Sequence, residues 1–444
     1  MSADGASAIR ALCDWASRTA REGGPPERVL SRAAWVAADN VACAIAASAD
    51  PIAGSLHRFV PAGGESRLWT AASLCADRRN AARINAIWSN WEQLDEGHRD
   101  VMCHAGLYTV SPAMAEAQAD GHGLRAMLTA IAVGYEITCR TALALRFESG
   151  VPHPHAAWSA YGAAATLAAL RGYGAKEWER GLGAAATMAM AAPFDLARRG
   201  CEALNLSAGI GVAAGFDCAD AAALGVGADA EAVLASYGGI LNARFDAVPM
   251  LDGLGHSWLI ERGYHKQYAC ARQAHAAVEA LLALRARALR AGIRPEDACS
   301  IRLEVSSSAL LLDDVRPSTA LGARFSLPHL AAAVWLRGEV GASAFDAESL
   351  CDPDVATLRA CVFLERAKEG SSQSARGALA EVVLQDGESI SQRCDRVPGD
   401  PELPFTLTDL ERKCKALAGD ALGPLFDALL ISDGDYDPLR SIPV

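Results

Sequence analysis

Apolar residues recur at three- and four-residue spacing from about residue 26 to about residue 260. This spacing places them on one side of an α-helix, which has about 3.6 residues per turn. Pro25-Pro26-Glu27 predicts a helix start, because proline suits the first turn and a carboxylate suits the positive end of the helix dipole. The clearest helical series is Leu124, Met127, Leu128, Ile131, Ala132 and Tyr135. The pattern therefore predicts a helical bundle over the first part of the chain.

Small residues occupy several faces of these helices, as in Gly162-Ala163-Ala164-Ala165 and Gly183-Ala184-Ala185-Ala186. They allow neighbouring helices to approach closely, and they suit helices that pack on more than one side. The most apolar stretches, at about 155–170 and 181–194, end at charged residues before reaching the roughly 18–20 residues that a membrane span needs. We expect both stretches to be buried helices of a soluble core.

The pattern changes after about residue 295. Residues 300–305 alternate with the period of two that is typical of a strand with one buried face. A second such region covers 378–393 and contains Asp386-Gly387, a strong hairpin turn signal. Helical spacing returns over 406–422, with Thr406 or Thr408 as a cap.

These patterns divide the chain into two predicted parts. We predict a mainly α fold, with a large all-helical domain formed by residues 1–264 and 396–444. The strand signals place a smaller α+β domain at residues 265–395. The C-terminal helix is expected to pack back on the large domain.

Composition excludes several classes of protein. With 444 residues, 51% hydrophobic and 21% charged, the chain is too apolar to be disordered. A formal net charge of −12, without a Lys/Arg cluster, argues against nucleic acid as a partner. The 13 cysteines form no CxxC pair, which favours reduced thiols over a disulfide framework or a zinc ribbon. The first residues lack the features of a secretory signal, so we expect a cytoplasmic protein without membrane association.

The most polar cluster of the helical part runs from Gln93 to Asp100 and is followed by Cys103-His104. It includes Asp95 and His98, so that carboxylates and two imidazoles lie between apolar segments. A solvent-lined cleft at such a place would supply acid/base groups. A solvated loop with helix caps explains the residues equally well. The same side chains could ligate a metal ion, but their spacing matches no established ligand pattern, and we predict no metal site.

Prolines flank His153 in the segment 150–155, just before an alanine-rich helix predicted to start near Ala156. They stiffen the loop and hold this histidine at the helix N-terminus. The positive end of the helix dipole lowers the pKa of an imidazole there and favours the neutral form, which can accept a proton. Taken alone, such a segment is more often an ordinary loop.

Residues 264–275 lie at the predicted join between the two domains and contain Lys266, Tyr268, Arg272 and His275. Domain joins are favoured positions for small-molecule clefts, and a lysine, an arginine and a histidine together would bind an anion. The alternative is a helix start with exposed charges. No GxGxxG follows a predicted strand, and neither GxxxxGK[ST] nor GxSxG occurs, so no nucleotide cofactor is expected.

Taken in chain order, seven segments resemble motifs of the MmgE/PrpD family. The segment 94–106 is similar to the family's LDDGHR followed by HPGA, the segment 153–164 to HPT plus FGAA, and the segment 266–275 to KxYxCCRxxH. Any one of these matches is weak, whereas seven in the right order are specific. The segments are 38–44, 94–106, 153–164, 205–209, 266–275, 324–329 and 399–413.

The resemblance implies a large all-helical domain, a smaller α+β lid domain and a homodimer that needs no metal or organic cofactor. The family includes 2-methylcitrate dehydratase, cis-aconitate decarboxylase and iminodisuccinate epimerase. Asp95, His104, His153 and Lys266 fall on its active-site segments, and we expect them to be catalytic. His104 would move a proton at the carbon next to a carboxylate, and Lys266 would stabilise the enolate or protonate its opposite face. His153 would bind a carboxylate or assist the leaving group.

Other residues of these segments are expected to bind the substrate. The decarboxylase-type pattern of the family has a lysine near the position of Leu204. This chain lacks that lysine, and the missing positive charge disfavours a tricarboxylate substrate. We therefore predict a cofactor-independent lyase of the dehydratase type that acts on a small hydroxy-carboxylic acid. An epimerase, isomerase or decarboxylase using the same acid/base pair, and a catalytically inactive ligand-binding member, stay open. The predicted substrate-binding residues are Gln93, His98, Ser207, Tyr268, Arg272 and His329.

Overall fold

The computed structural model describes residues 3–70, 74–147, 151–338, 340–367 and 377–422. Helices dominate this part of the chain, which confirms the prediction of a mainly α fold. The α-helices are α1 (Ala3–Arg21), α2 (Glu27–Ser48), α3 (Pro51–Ser55), α4 (Arg78–Trp91), α5 (Ala105–Asp120), α6 (Leu124–Ala144), α7 (Pro154–Leu170), α8 (Ala175–Thr187), α9 (Asp195–Arg198), α10 (Ser207–Ala223), α11 (Ala230–Val233), α12 (Val248–Leu251), α13 (His275–Arg290), α14 (Ala320–Arg324), α15 (Leu327–Arg337), α16 (Ala347–Cys351), α17 (Pro353–Arg359) and α18 (Leu407–Ala418). The strands are β1 (Ser66–Arg67), β2 (Cys75–Ala76), β3 (Gly97–His98), β4 (Leu145–Phe147), β5 (Ala243–Phe245), β6 (Gly263–Tyr264), β7 (Ala298–Val305), β8 (Val362–Arg366), β9 (Ala378–Leu384) and β10 (Ser389–Cys394).

Helix α7 is the centre of the helical bundle, and every one of its residues is buried. It packs against α5, α6 and α10, which surround it on several sides. Its alanines and Gly162 keep the helix axes close, because larger side chains would hold the neighbours apart. Trp158 fills the remaining space and stacks on Tyr237, with ring centroids 4.5 Å apart. The predicted helix start at Pro26 and Glu27 is confirmed at the beginning of α2.

The structure corrects two details of the helical part. This part is not all-helical, because it contains the two-stranded pairings β1 with β2 and β4 with β5. The apolar stretch 155–170 forms a buried helix as predicted, whereas the stretch 181–194 leaves its helix after Thr187. There the backbone turns to the loop that precedes α7: His153 N–H donates to the carbonyl of Ala192, and Phe194 N–H donates to that of Val151. This pairing competes with the helix for the same backbone groups.

A second hydrophobic core lies around a four-stranded sheet of order β10-β9-β7-β8. Fully buried residues alternate with partly buried ones along β9 and with partly buried or exposed ones along β7, and α13 packs on the sheet beside α15. The predicted hairpin is confirmed, with Val382 paired to Ile390 and Gly387 in the left-handed conformation at φ +87°. These elements agree with the predicted α+β character of this region. The domain limits, the closing lid and the homodimer stay predictions, and residues 423–444 of the predicted large domain lie outside the described residues.

Helix α18 returns to the helical bundle and packs along α2. Thr406 is its cap, and it forms a capping box with Asp409. Within the described part of the chain, α2 is the one helix whose length and composition suit a membrane span. Most of its apolar window is buried by neighbouring helices, as expected for a core helix.

Candidate active site

One pocket contains most of the polar side chains that the sequence predicts. It encloses about 600 Å³, including space that opens to solvent. Among its lining residues, Lys266 and Arg272 are cationic and none is a carboxylate. The lining residues are Gln93, His98, Val101, Met102, Cys103, His104, His153, Pro154, His155, Phe194, Tyr264, Lys266, Ala271, Arg272, Gln273 and Phe325. Six of the ten predicted site residues therefore share one pocket, which is suited to an anion.

A short strand pairing brings two distant segments together at this pocket. Strand β3 pairs with β6 in antiparallel register, with Gly97 opposite Tyr264. A side chain at position 97 would collide with the Tyr264 ring, since a Cβ there would lie 2.5 Å from the phenol oxygen. Glycine thus allows the segment carrying Asp95 and His104 to lie against the segment carrying Lys266.

His104 is held by its Nδ1 atom, which donates to Oδ2 of Asp95 at 2.6 Å and to the carbonyl oxygen of Glu96 at 2.8 Å. Both acceptors hold a hydrogen on Nδ1, so Nε2 is the ring nitrogen through which His104 would exchange a proton. The His104 side chain retains 16% exposure, whereas the Asp95 side chain is fully buried. The arrangement is that of a histidine base oriented by a buried carboxylate.

Lys266 lies on the other side of Asp95. Its Nζ atom is 3.9 Å from Oδ1 of Asp95 and donates to the carbonyl oxygen of Gln93 at 2.7 Å. Burial lowers the pKa of Lys266, because desolvation disfavours the ammonium form, while the Asp95 carboxylate acts in the opposite direction. A buried lysine with a lowered pKa can either stabilise a developing anion or exchange a proton with it.

Three cations bind consecutive carbonyl groups of the segment before Asp95. Arg324 donates to the carbonyl of Glu92 at 3.0 Å, Lys266 to that of Gln93, and Lys413 to that of Leu94 at 2.8 Å. Gln93 adopts φ +53°, a backbone conformation that is uncommon for a residue other than glycine. Its side chain points back to Asn90 and donates to the Asn90 Oδ1 atom at 2.9 Å. Gln93 therefore contributes chiefly through its backbone, which presents a carbonyl to Lys266.

His153 occupies the N-cap position of α7 without a side-chain capping hydrogen bond, and its ring stacks on Phe194 with the ring centroids 5.6 Å apart. Its Nδ1 atom is buried and has no hydrogen-bond partner within the described residues. Burial lowers the pKa of His153 to about 3, and the neighbouring His104 adds to the effect. The neutral ring predicted from its place at the helix start agrees with this shift, but the causes are burial and neighbouring charged side chains rather than the helix end.

His155 is a pocket residue that the sequence interpretation did not include in its site. Its ring contacts the rings of His104 and His153 edge-on, at centroid distances of 5.0 and 4.5 Å. Its Nδ1 atom lies 2.9 Å from the hydroxyl of Tyr108. Burial and the two neighbouring imidazoles lower the pKa of His155 well below its ordinary value. The sequence feature that could have indicated His155 is its place as the second histidine of the His153-Pro154-His155 motif.

Arg272 lines the pocket but is not a free cation. It forms an ion pair with Asp400, and both side chains are buried. Its guanidinium lies over the Tyr264 ring, 5.2 Å from the centroid, and its Nε atom has no hydrogen-bond partner within the described residues. Arg272 could therefore bind a substrate oxygen through Nε while Asp400 balances its charge.

His98 lines the pocket as predicted, but backbone groups already bind its ring. Its Nε2 atom donates to the carbonyl of Leu259 at 3.0 Å, and its Nδ1 atom accepts from the backbone N–H of Asp100 at 3.2 Å. Both ring nitrogens are thus used by the backbone. Desolvation by burial lowers the pKa of His98 to about 4, so the ring stays neutral. It supports the wall of the pocket and has no polar atom left for substrate.

Three other predicted substrate-binding residues lie outside the pocket. His329 is buried in the second core, where Nε2 donates to the carbonyl of Ala344 and Nδ1 accepts from Arg359. Tyr268 lines a separate cleft beside Lys413 and donates to Glu279 at 2.6 Å. Ser207 starts α10 and is buried. Proximity in sequence to a pocket residue did not place these side chains in the pocket.

Glu96 is a buried carboxyl group beside the site; it belongs to the polar cluster from Gln93 to Asp100 but is not among the predicted site residues. It accepts from the backbone N–H of Gly106 at 2.7 Å and from the Tyr135 hydroxyl at 3.0 Å. Burial raises the pKa of Glu96 to about 8, and the Asp95 charge contributes. Its position directly after Asp95 was the one available signal. Phe194 and Phe325 form apolar lining. Phe325 lies in the family-like segment 324–329, whereas no sequence feature singled out Phe194.

Comparison with known protein families gives two matches that together cover most of the chain. Residues 10–250 match the sequence model of the MmgE/PrpD N-terminal domain. Residues 268–425 match that of the MmgE/PrpD C-terminal domain. A search of curated proteins finds no significant match. The segment 251–267, which contains Lys266, falls between the two matched regions.

Proposed function

This chain belongs to the MmgE/PrpD family, and we propose that it is a cofactor-independent lyase of the dehydratase type. The family includes dehydratases and related enzymes. The proposed reaction removes the proton next to a carboxylate of a small hydroxy-carboxylic acid and expels water. We assign the reaction to the pocket that His104, Lys266 and His153 share.

One observation carries this proposal: the buried Asp95 carboxylate contacts both His104 and Lys266. A carboxylate so placed orients a base with one oxygen and faces an ammonium group with the other. Proton removal next to a carboxylate is difficult, because a second negative charge develops on the carboxylate as the C–H bond breaks. A nearby base together with a preorganised cation lowers the barrier to that step.

In the first step of the proposed mechanism, Nε2 of His104 takes the proton from the carbon next to the carboxylate. Nδ1 remains bonded to Asp95 and to the Glu96 carbonyl, so the imidazolium that forms is stabilised where it stands. The electron pair of the C–H bond moves into the carboxylate as an enolate, next to the Lys266 ammonium.

In the second step, the enolate electrons form the carbon–carbon double bond as the hydroxyl group leaves. The leaving oxygen takes a proton from the His104 imidazolium or from the Lys266 ammonium, and water results. His153 stays neutral because burial lowers its pKa to about 3. It therefore serves as a hydrogen-bonding group, and the proton transfer falls to the other two residues.

An epimerase is the second candidate, favoured by the lowered pKa of Lys266. Neutral lysine would remove the proton from one face of the carbon while the protonated His104 returned a proton to the other. The same pair of side chains would then invert a stereocentre without loss of water.

Deuterated water separates these reactions. The wild-type protein is incubated with four-carbon 2- and 3-hydroxy acids and followed by proton NMR. A lyase gives olefinic signals, with deuterium next to the carboxylate of recovered substrate. His104→Ala and Lys266→Ala should each lower the rate about 10²–10⁴-fold, the range expected for loss of an acid/base group.

The exposed His256 provides a matched control, and His256→Ala should keep the wild-type rate. Circular dichroism confirms that the variants remain folded. Wild-type rates in both His104→Ala and Lys266→Ala would remove the mechanism. Deuterium incorporation with inversion and without an olefin would replace the lyase with the epimerase.

A further inference from the structure

The start of helix α5 is held by a side chain from outside the helix. His104 occupies the N-cap position of α5, and its own side chain makes no capping hydrogen bond. The first N–H groups of a helix have no carbonyl partner within the helix. The N–H of Gly106, the second residue of α5, donates instead to Oε1 of Glu96 at 2.7 Å. The buried Glu96 side chain therefore caps the helix that begins directly after His104.

Glu96 also binds the ring of His104 through its backbone. Nδ1 of His104 donates to the carbonyl oxygen of Glu96 at 2.8 Å, next to its bond with Asp95. Oε2 of Glu96 lies 3.0 Å from the hydroxyl of Tyr135, so the side chain is joined to α6 as well. One residue thus contacts both the ring of His104 and the backbone two residues after it. The place of the base and the direction of its ring both depend on where Glu96 lies.

The close approach of Glu96 to α5 requires glycine at position 106. A Cβ there would overlap Oε1 of Glu96 and would lie 2.7 Å from both Nδ2 of Asn40 and Cγ1 of Val36. Any larger residue would therefore push the carboxyl group away from the helix start.

We propose that Glu96 is a positioning residue, whose side chain fixes the start of α5 so that His104 keeps its bond to Asp95 and faces the pocket. This inference rests on the proposed function and adds to it a residue that does not line the pocket. The physical reason is that proton transfer depends steeply on geometry. Misplacing a reacting group by about 1 Å can lower the rate about 10²-fold.

The surroundings of Glu96 favour its neutral form. Burial raises the pKa of Glu96 to about 8, and nearby carboxylates contribute, although the hydrogen bonds from the Gly106 N–H and the Tyr135 hydroxyl act in the opposite direction. At neutral pH the group therefore holds α5 by hydrogen bonding, without a second negative charge beside Asp95. Glutamine is its close neutral mimic. The charged or titratable groups around Glu96 are Asp95 and His104 of the same segment, Asp39 and Arg32 of α2, and Tyr135 of α6.

The first test compares Glu96→Ala with Glu96→Gln in the deuterium exchange assay. Alanine removes the acceptor for the Gly106 N–H, so kcat per folded molecule should fall about 10–10²-fold with little change in KM. Glutamine can accept from the same N–H and donate to the Tyr135 hydroxyl, so it should retain most of the wild-type kcat. Gly106→Ala, which displaces the carboxyl group, should behave like Glu96→Ala. The exposed Glu22 provides the matched control, and Glu22→Ala should keep the wild-type rate.

Nitrogen-15 NMR of the histidine rings tests the same inference without a substrate. His104→Ala identifies the His104 signals by their loss. In Glu96→Ala the Nδ1 signal of His104 should move from its wild-type position, because the ring loses a fixed acceptor. Glu96→Gln and Glu22→Ala should leave that signal in place.

Two results would overturn the positioning role. The first is a wild-type kcat and an unmoved His104 signal in both Glu96→Ala and Gly106→Ala. The second is an equal loss of kcat in Glu96→Ala and Glu96→Gln, because a neutral hydrogen-bonding side chain would then give no rescue. The proposed function fails in a different experiment, the one in which His104→Ala and Lys266→Ala keep the wild-type rate.

Discussion

At the scale of single residues, burial determines which groups can do chemistry. Asp95 is fully enclosed, yet its two oxygens face a histidine and a lysine, so its charge acts on both. The same burial keeps His153 and His155 neutral, because a charged imidazole would lose its hydration. His98 has a similar environment, but backbone groups use both of its nitrogens. The possible chemical role of a side chain therefore depends less on its residue type than on which of its polar atoms lack a hydrogen-bond partner.

The first residue-scale prediction concerns Asp95 as a positioning residue. Asp95→Asn removes the charge that fixes the Nδ1–H form of His104 and stabilises its imidazolium. We expect kcat for the exchange reaction to fall about 10²–10⁴-fold with little change in KM. The pH dependence of kcat should shift as well, which a purely structural effect would not produce.

Asp100→Asn is the matched control, since Asp100 lies five residues further on and pairs with the exposed Arg262. It should keep the wild-type rate and pH profile. If the activity per folded molecule of Asp95→Asn equals that of the wild type, and total activity falls only because less protein folds, the positioning role is contradicted.

At the scale of elements, small residues decide how closely the helices pack. Helix α10 crosses α4 and α7, and its glycines face the backbone or side chains of those helices. A Cβ at position 209 would overlap the backbone carbonyl of Arg83, and one at Gly215 would lie 2.5 Å from the Cβ atom of Ala163. Backbone atoms cannot move aside as flexible side chains can, so these positions require glycine.

Replacing Gly209 tests this packing. Gly209→Ala should lower the free energy of unfolding by about 1–3 kcal/mol, the usual range for overpacking, despite the better helix propensity of alanine. Urea denaturation followed by circular dichroism measures the change. Gly239→Ala serves as the control, because a Cβ there meets no heavy atom within 4 Å. Equal stability of the two variants would show that α4 and α10 can separate without cost.

At the scale of the whole molecule, distant parts of the chain position one short segment. Lys413 on the C-terminal helix, Lys266 after β6, and Arg324 at the end of α14 bind the carbonyls of 92–94. Lys413 also pairs with Asp39 of α2, whose other oxygen accepts from His265. The Asp95 carboxylate therefore follows a segment whose geometry depends on both ends of the fold.

Lys413→Met tests this long-range positioning. The change leaves Asp39 buried without a lysine partner, and breaking such a pair typically lowers stability by about 3–5 kcal/mol. We also expect kcat to fall about tenfold, a loss of about 1.4 kcal/mol of transition-state stabilisation, because Leu94 loses its anchor. Urea denaturation and the deuterium exchange rate measure the two effects.

The double variant Asp39→Asn with Lys413→Met separates the effects. It removes the unpaired charge, so most of the stability should return, while Leu94 still lacks its hydrogen-bond donor and the exchange rate stays low. Recovery of both stability and rate would show that Lys413 acts on stability alone.

Much of the fold was predictable because it follows local rules. The three- and four-residue spacing of α6, the proline before α2, the Asp386-Gly387 turn and the Thr406 cap all depend on neighbours in sequence. The departure of residues 188–194 from a helix was not predictable in this way, since it depends on hydrogen bonds to a loop about 40 residues earlier.

The sequence by itself determined the helical class, the strand-rich second region and the segments that could carry acid/base chemistry. Their residue types and order suffice, because periodicity and motif order are properties of the chain alone. Only the tertiary structure decided which side chains share a pocket: it includes His155 and excludes His329, Tyr268 and Ser207. It also pairs Arg272 with Asp400. The physical reason is that hydrogen bonding, desolvation and charge compensation depend on distances between residues far apart in sequence, which no local pattern encodes.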